Sequence, residues 1–152
     1  DNDSKAINNI ANLYKEEKNY DKAIERYQLA VKNDPMSSMY RNNLADTLRL
    51  NGELDQAMEV LQNSLKLNSA GMGTYFNLGM VYKDLKENEK ALDSFKKSIQ
   101  VNPALTEAYY QIAQIHLTMK NQDLALKFIN KAIKFSPNNL IYQESREKIL
   151  AL

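Results

Sequence analysis

No cysteine occurs in this chain of 152 residues, which excludes disulfide frameworks and thiolate–metal sites but does not name a compartment. No signal peptide is present and no apolar run approaches membrane-spanning length, so membrane insertion is not expected and a cytoplasmic setting is favoured. An excess of charge of either sign is missing too. Lys and Arg number 20 against 19 Asp and Glu, which argues against nucleic acid as the main ligand. There is no Gly-rich phosphate loop, no HExxH and no nucleophile elbow. No residue stands out as catalytic, metal-ligating or cofactor-binding, and neither an enzyme nor a cofactor is expected. The chain begins at Asp1 rather than Met, as expected of a processed form or of a piece of a longer protein.

What is present is a repeated pattern. From Met72 to Leu105 the sequence reads as two amphipathic helices back to back. Tyr75, Leu78, Val81, Tyr82 and Leu85 recur at helical spacing, and Ala91, Leu92, Phe95, Ser98 and Ile99 do so again. Lys86, Glu87 and Asn88 form a polar turn between them, and Asn102-Pro103 stops the second helix. One such pair cannot bury both apolar stripes by itself and needs neighbours. The chain supplies them: Ala91 repeats as Ala23 and Ala125, and Pro103 as Pro35 and Pro137, all at multiples of 34 residues. Four units follow, over 4–37, 38–71, 72–105 and 106–139, with a last helix over 140–152.

The third unit carries Tyr75, Leu78-Gly79, Tyr82, Ala91, Phe95 and Pro103. The first carries Ile7, Ile10-Ala11, Tyr14, Ala23, Tyr27 and Pro35; the fourth carries Tyr109, Ile112-Ala113, His116, Ala125, Ile129 and Pro137. This pattern resembles the tetratricopeptide repeat family. The resemblance implies an all-α fold, a right-handed α-solenoid of tandem helix-turn-helix repeats forming a single domain over 1–152. It also implies a module that binds protein or peptide partners rather than one that performs chemistry.

Several local expectations follow. Asp1–Asp3 are polar and loose, Ser4 caps the first helix, and Ile7, Ile10, Leu13 and Tyr14 face inward while Asn8, Asn9 and Asn12 take another face. Asp21, Asp55, Glu89 and Asp123 stand at the start of each second helix, where a carboxylate caps free N–H groups and complements the helix dipole. Ala11, Ala45, Gly79 and Ala113 face Ala23, Ala57, Ala91 and Ala125, with a second close contact at Ala30, Ser64, Ser98 and Ala132. The second unit is the degenerate one: Arg41 replaces a large apolar residue, Ser69 replaces proline, and Asn51-Gly52 signals a left-handed turn. The stretch 68–73, with Gly71 and Gly73, is expected to be the softest junction. His116 reads as a packed core residue, and Met58 and Met119 as core fillers. In the last helix Arg146 and Glu147 break the apolar pattern, as a cap should. No equivalent cap precedes Ser4, so the first helix is expected to mediate self-association.

In the family resembled, the concave surface is lined mainly by the first helix of each repeat, and partners lie along it as extended segments or helices. One column implied for that face is Asn9, Asn43, Asn77 and Gln111. It is similar to the asparagine ladder in the repeat domain of O-linked N-acetylglucosamine transferase, where amides grip a peptide backbone. A side-chain amide donates and accepts, so it bonds a peptide group without reading its sequence. The same column suits a helix-to-helix tie, and both readings stand. Beside it, Asn8 and Asn42 are matched by Phe76 and Tyr110, while Asn12 and Asp46 give way to Met80 and Gln114. The expected peptide contacts are therefore Asn9, Asn12, Asn43, Asp46, Phe76, Asn77, Met80, Tyr110, Gln111 and Gln114. Lys15, Arg49 and Lys83, with Glu16 and Asp84 among them, read as a solvated charged face. Asn12 and Asn43 match positions of the chaperone-tail carboxylate clamp, but Asn8, Gly73 and Asn77 stand where that clamp is basic, which excludes it. The leading expectation is a non-catalytic interaction module holding an extended peptide or a helical segment. The alternatives are an internal scaffold or multimerisation segment of a longer solenoid, and a docking arm of an enzyme whose catalytic domain lies elsewhere.

Overall fold

The structure is a computed structural model that describes residues 2–67 and 71–152. Among these residues the chain forms nine helices: α1 (Asn2–Glu16), α2 (Tyr20–Asn33), α3 (Ser38–Leu50), α4 (Leu54–Lys66), α5 (Met72–Asp84), α6 (Asn88–Val101), α7 (Thr106–Thr118), α8 (Gln122–Phe135) and α9 (Leu140–Leu150). Each odd helix packs on the even helix after it, and each even helix on the next odd one, so the architecture is an α-solenoid. The odd helices α1 to α7 are the A helices of the four units, and the even ones the B helices.

Small residues set how closely A and B approach. Ala11, Ala45 and Ala113 on the A helices, and Ala23, Ala57, Ala91 and Ala125 on the B helices, are fully buried. Ala30, Ser64, Ser98 and Ala132 are buried as well. Next to them Tyr27, Leu61, Phe95 and Ile129 occupy one repeat position, all without solvent exposure. Phe95 is the tightest fit. A Cβ added at Gly79 would lie 2.6–2.8 Å from its ring atoms, so the glycine makes room for the aromatic ring.

The A-to-B turns share one device. Lys18, Gly52, Lys86 and Lys120 take φ of 58°, 84°, 61° and 58°. The following N–H reaches back five residues to Tyr14, Leu48, Tyr82 and His116 carbonyls at 2.8–2.9 Å. This is the Schellman arrangement, in which a left-handed residue closes the helix end. Gly52 was legible as such a residue; the three lysines carry no such signal, and the tertiary pairing of A with B holds them there.

Some expectations are corrected. Helix α1 starts at Asn2, so Ser4 is no cap and is instead buried within the helix. Asn8 is buried, whereas Ile10 and Leu13 are 46% and 59% exposed. Their repeat counterparts explain this. Leu44, Leu78 and Ile112 match Ile10, Thr47, Val81 and Ile115 match Leu13, and all six are buried where an A helix packs on the preceding B helix. Among the described residues α1 has no such helix before it. The capping side chains are Asn19 and Asn121, which accept from the N–H of Lys22 and Leu124, while Asp21, Asp55, Glu89 and Asp123 sit in the first turn, where they meet the helix dipole. Met119 is exposed rather than a core filler. Helix α9 docks through Tyr142 and Ile149, but its outer side still exposes Leu140, Ile141 and Leu150, so it is less polar than a cap was expected to be. Of the expected soft junction, residues 68–70 lie outside the described residues. Gly73 is packed, since a Cβ there would meet Asn42 Nδ2 at 2.9 Å.

Replacing Gly79 by Ala gains about 1 kcal/mol of helix propensity but overpacks a buried ring, which costs about 1–3 kcal/mol. Net destabilisation is expected in urea denaturation. In a Phe95→Leu background, which restores the Ala45–Leu61 pairing of the second unit, the same substitution should stabilise. A stabilising effect in both backgrounds would mean the ring has room to move.

Candidate peptide-binding groove

The expected ladder lies on the A helices, and its amides already have partners. Asn43 donates from Nδ2 to Asn8 Oδ1 at 2.9 Å, and Asn77 donates from Nδ2 to the Asn42 carbonyl at 2.9 Å. Thr74 Oγ1 donates to Asn42 Oδ1 at 3.0 Å in the same layer. These bonds tie each A helix to the A helix before it. Both amides remain half-exposed, and neither carbonyl oxygen accepts a bond from another described residue. The two ends of the ladder differ. Asn9 is exposed, while Gln111 is buried, donating to Glu107 at 2.8 Å and accepting from Lys83 Nζ at 2.6 Å.

The charged row is a chain of ion pairs rather than a solvated face. Lys15 on α1 pairs with Asp46 on α3; Arg49 pairs with Asp46 at 3.0 Å and with Asp84 on α5 at 2.9 Å. Burial pushes the Asp46 carboxyl up, but Lys15 and Arg49 outweigh it and hold it below the usual carboxylate range. Arg49 is likewise penalised by burial, and its two carboxylate partners raise it nonetheless. Asp46 therefore enters any peptide contact as a neutralised group. Asn12, its counterpart in the first unit, accepts from the Tyr27 hydroxyl. Burial drives that phenol up to about 12, so it stays a neutral donor.

The aromatic half of the face is partly spent on the core. Phe76 leans on Phe95 with ring centroids 5.4 Å apart, and Tyr110 on Tyr142 at 5.2 Å. Met80 packs with Phe76 against the Phe95 and Ile112 cluster. All three stay half-exposed, so each offers an edge rather than a whole side chain. Gln114 borders a hollow of about 390 Å³ with Lys83, Asn88 and Thr118, and Asn12 one of about 330 Å³ with Lys15 and Leu50.

One tie escaped the sequence reading. Arg41 is buried and donates to the carbonyls of Pro35 and Met36 and, at 2.9 Å, to Ser64 Oγ. Tyr109, at the same repeat position, donates its hydroxyl to the Pro103 carbonyl at 3.0 Å. Arginine and tyrosine thus do one job, fastening an A helix to the end of the preceding B helix. A pattern that scores apolarity alone sees only a degenerate unit. Among the described residues no three metal-ligating side chains converge, and no helix is long and apolar enough to cross a membrane.

Tetratricopeptide repeat models match residues 8–71, 74–105 and 106–139. No curated protein sequence is a significant match. Among solved structures, a crystal structure of MamA protein is 23% identical over 96% of this chain and 80% of its own, with a TM-score of 0.76. The Pseudomonas aeruginosa pilF structure is 19% identical, covering 97% of this chain and 68% of that one, at 0.87. A chain of the APC/C hetero-tetramer Cut9-Hcn1 is 19% identical, covering 97% of this chain and 30% of that one, at 0.84. At these identities the likeness is one of fold.

His116 offers a clean pH test. It is 8% exposed, stacks on Phe128 at 5.7 Å, and its buried Nδ1 finds no partner among the described residues. Burial first, and then Lys96, hold the imidazole below its ordinary value, against a pull upward from Glu89. The unfolded chain therefore takes the proton first, and stability is lost as pH falls through the unfolded pKa near 6.5. The melting temperature should drop between about pH 7 and pH 5. His116→Leu, the residue of the equivalent Leu48, should flatten that slope. An unchanged slope would place the responsible group elsewhere.

Proposed function

The chain belongs to the tetratricopeptide repeat family, and from that membership we propose that it is a non-catalytic module whose concave groove holds an extended segment of a partner protein. The observation that supports this reading is the half-spent amide. Asn43 and Asn77 give their NH2 groups to the neighbouring helix and keep a carbonyl oxygen to which no other described residue donates. An extended peptide carries N–H donors about every 3.3 Å, and A helices packed about 10 Å apart would meet one every third residue. Each such bond nets only about 0.5–1.5 kcal/mol. Phe76, Met80 and Tyr110 supply the apolar edges that would choose among sequences.

The test uses peptides selected from a random library against the whole chain. Replacing Asn43 and Asn77 together by Ala should weaken unrelated binders by similar factors, about 1–3 kcal/mol for two bonds. Phe76→Ala or Tyr110→Ala should weaken peptides with apolar side chains most, by about 1–3 kcal/mol. Circular dichroism and melting of the double variant are read alongside. Collapse of the fold would make the amides ties alone. A folded variant that binds every peptide normally would leave the groove without a ladder, and a parent that selects no peptide would favour a scaffold or spacer.

A second reading rests on the bare side of α1. Ala6, Ile10 and Leu13 are exposed where Tyr40, Leu44 and Thr47 are buried, so this face supports association with another helix, including one from a second copy. Leu13→Glu should shift light scattering toward a smaller particle. A strict monomer at millimolar concentration would count against it.

A further inference from the structure

On the opposite side of α5 from the ladder lies a cleft of about 430 Å³. Tyr75, Leu78 and Tyr82 form its floor, about half a helical turn from Asn77 and Met80. Leu65 of α4 closes one side, and Ser94 of α6 lies opposite. The reason for the space is one residue. At the repeat position of Ser94 the second unit has Val60 and the fourth has Phe128. Val60 packs into the cluster of Leu44 and Leu48. Phe128 lies between Tyr109, at 6.5 Å and 27°, and His116, at 5.7 Å and 19°. It also packs with Ile99 in the cluster of Ile112. Residue for residue, Tyr109, His116, Ile99 and Ile112 are the counterparts of Tyr75, Tyr82, Leu65 and Leu78. The cleft is therefore the Phe128 site of the fourth unit with its phenylalanine removed. Ser94 adds no demand of its own, since its hydroxyl is satisfied by the Lys90 carbonyl at 2.8 Å.

We infer that this cleft is a docking site for an aromatic side chain carried on a segment of a partner protein. The aromatic class follows from the walls: two tyrosines flank the vacancy, and the molecule's own copy of the site is filled by a stacked ring. A protein segment, rather than a free molecule, follows from the rim. Gln62, Glu89, Lys90 and Lys97 are exposed around the opening, so a chain can continue past the ring in either direction. The two rim cations are paired, Lys97 with Asp93 at 2.6 Å and Lys90 with Glu87. A largely apolar pocket with a polar rim is the anatomy of an interface anchor site. The volume lies within the range of known ligand pockets. This site is separate from the concave groove and does not depend on it.

The chain contains no tryptophan, so indole fluorescence reports the probe alone. A capped glycine pentapeptide with a central tryptophan, its leucine counterpart and free indole are titrated against the whole chain. The tryptophan peptide should show a saturable blue shift, and an amide-shift map should centre on Tyr75, Leu78 and Tyr82. Ser94→Phe, which copies the fourth unit, should raise the melting temperature and weaken the peptide at least tenfold. Ser94→Val, which copies the second unit, gives the same reading with a smaller side chain, and decides the matter if the phenylalanine variant does not fold. Binding unchanged by either substitution, or no saturable binding, overturns the proposal. Equal binding of the leucine peptide overturns the aromatic assignment. Indole binding without peptide binding assigns the cleft to free small molecules. A Ser94 substitution that reduces particle size in sedimentation assigns it to a second copy.

Discussion

The structure depends on how closely each A helix can approach its B helix. Ala11 and Ala23, Ala45 and Ala57, and Ala113 and Ala125 are fully buried in the apolar clusters, where each presents nothing larger than a methyl group. Once that distance is fixed, the space left beside it is fixed as well, and Tyr27, Leu61, Phe95 and Ile129 are alternative ways to fill it. Gly79 follows from the same constraint, because the third unit filled the space with a phenyl ring. At Ser94 the small side chain borders a cleft shared by α4, α5 and α6. Volume is conserved locally or it is left open to solvent.

Polar groups set the second dimension, the stacking of one unit on the next. The bonds from Asn43 to Asn8, from Asn77 to Asn42 and from Lys83 to Gln111, with the Lys15–Asp46 and Arg49–Asp84 ion pairs, all cross from one A helix to its neighbour. Arg41 and Tyr109 fasten A helices to the ends of preceding B helices. The apolar core runs through the pairs and between them, and this polar lattice adds ties from one A helix to the next. Buried charge is tolerated because each member has an opposite partner or carbonyls to bond.

How much of this the residues disclosed depended on whether a feature recurs. The 34-residue period made the helix pairs and the buried small residues legible, because four copies vote on each position. Features belonging to one unit were obscure. Ile10 and Leu13 obey the repeat pattern, yet lie exposed because burial there depends on a preceding helix rather than on α1 itself. Lys18, Lys86 and Lys120 hold left-handed turns that their side chains do not favour, so only Gly52 announced the motif. Arg41 was read as a defect because its function, donating to a carbonyl, is shared with tyrosine through chemistry and not through apolarity. The asparagine column was legible as residue types, with a tie between helices as one of its two readings. Which neighbour each amide serves was not legible, since a side-chain amide can serve either.

The ties of Asn43 and Asn77 carry a mechanical consequence. They span adjacent A helices at distances near 2.9 Å with little slack. Pulling the solenoid lengthwise would strain these bonds before the buried alanine contacts, which run across the axis. The spacing of these rungs would then vary with load, widening under tension and narrowing under compression. A strand laid along the rungs would in turn resist stretching, because its own repeat is inextensible.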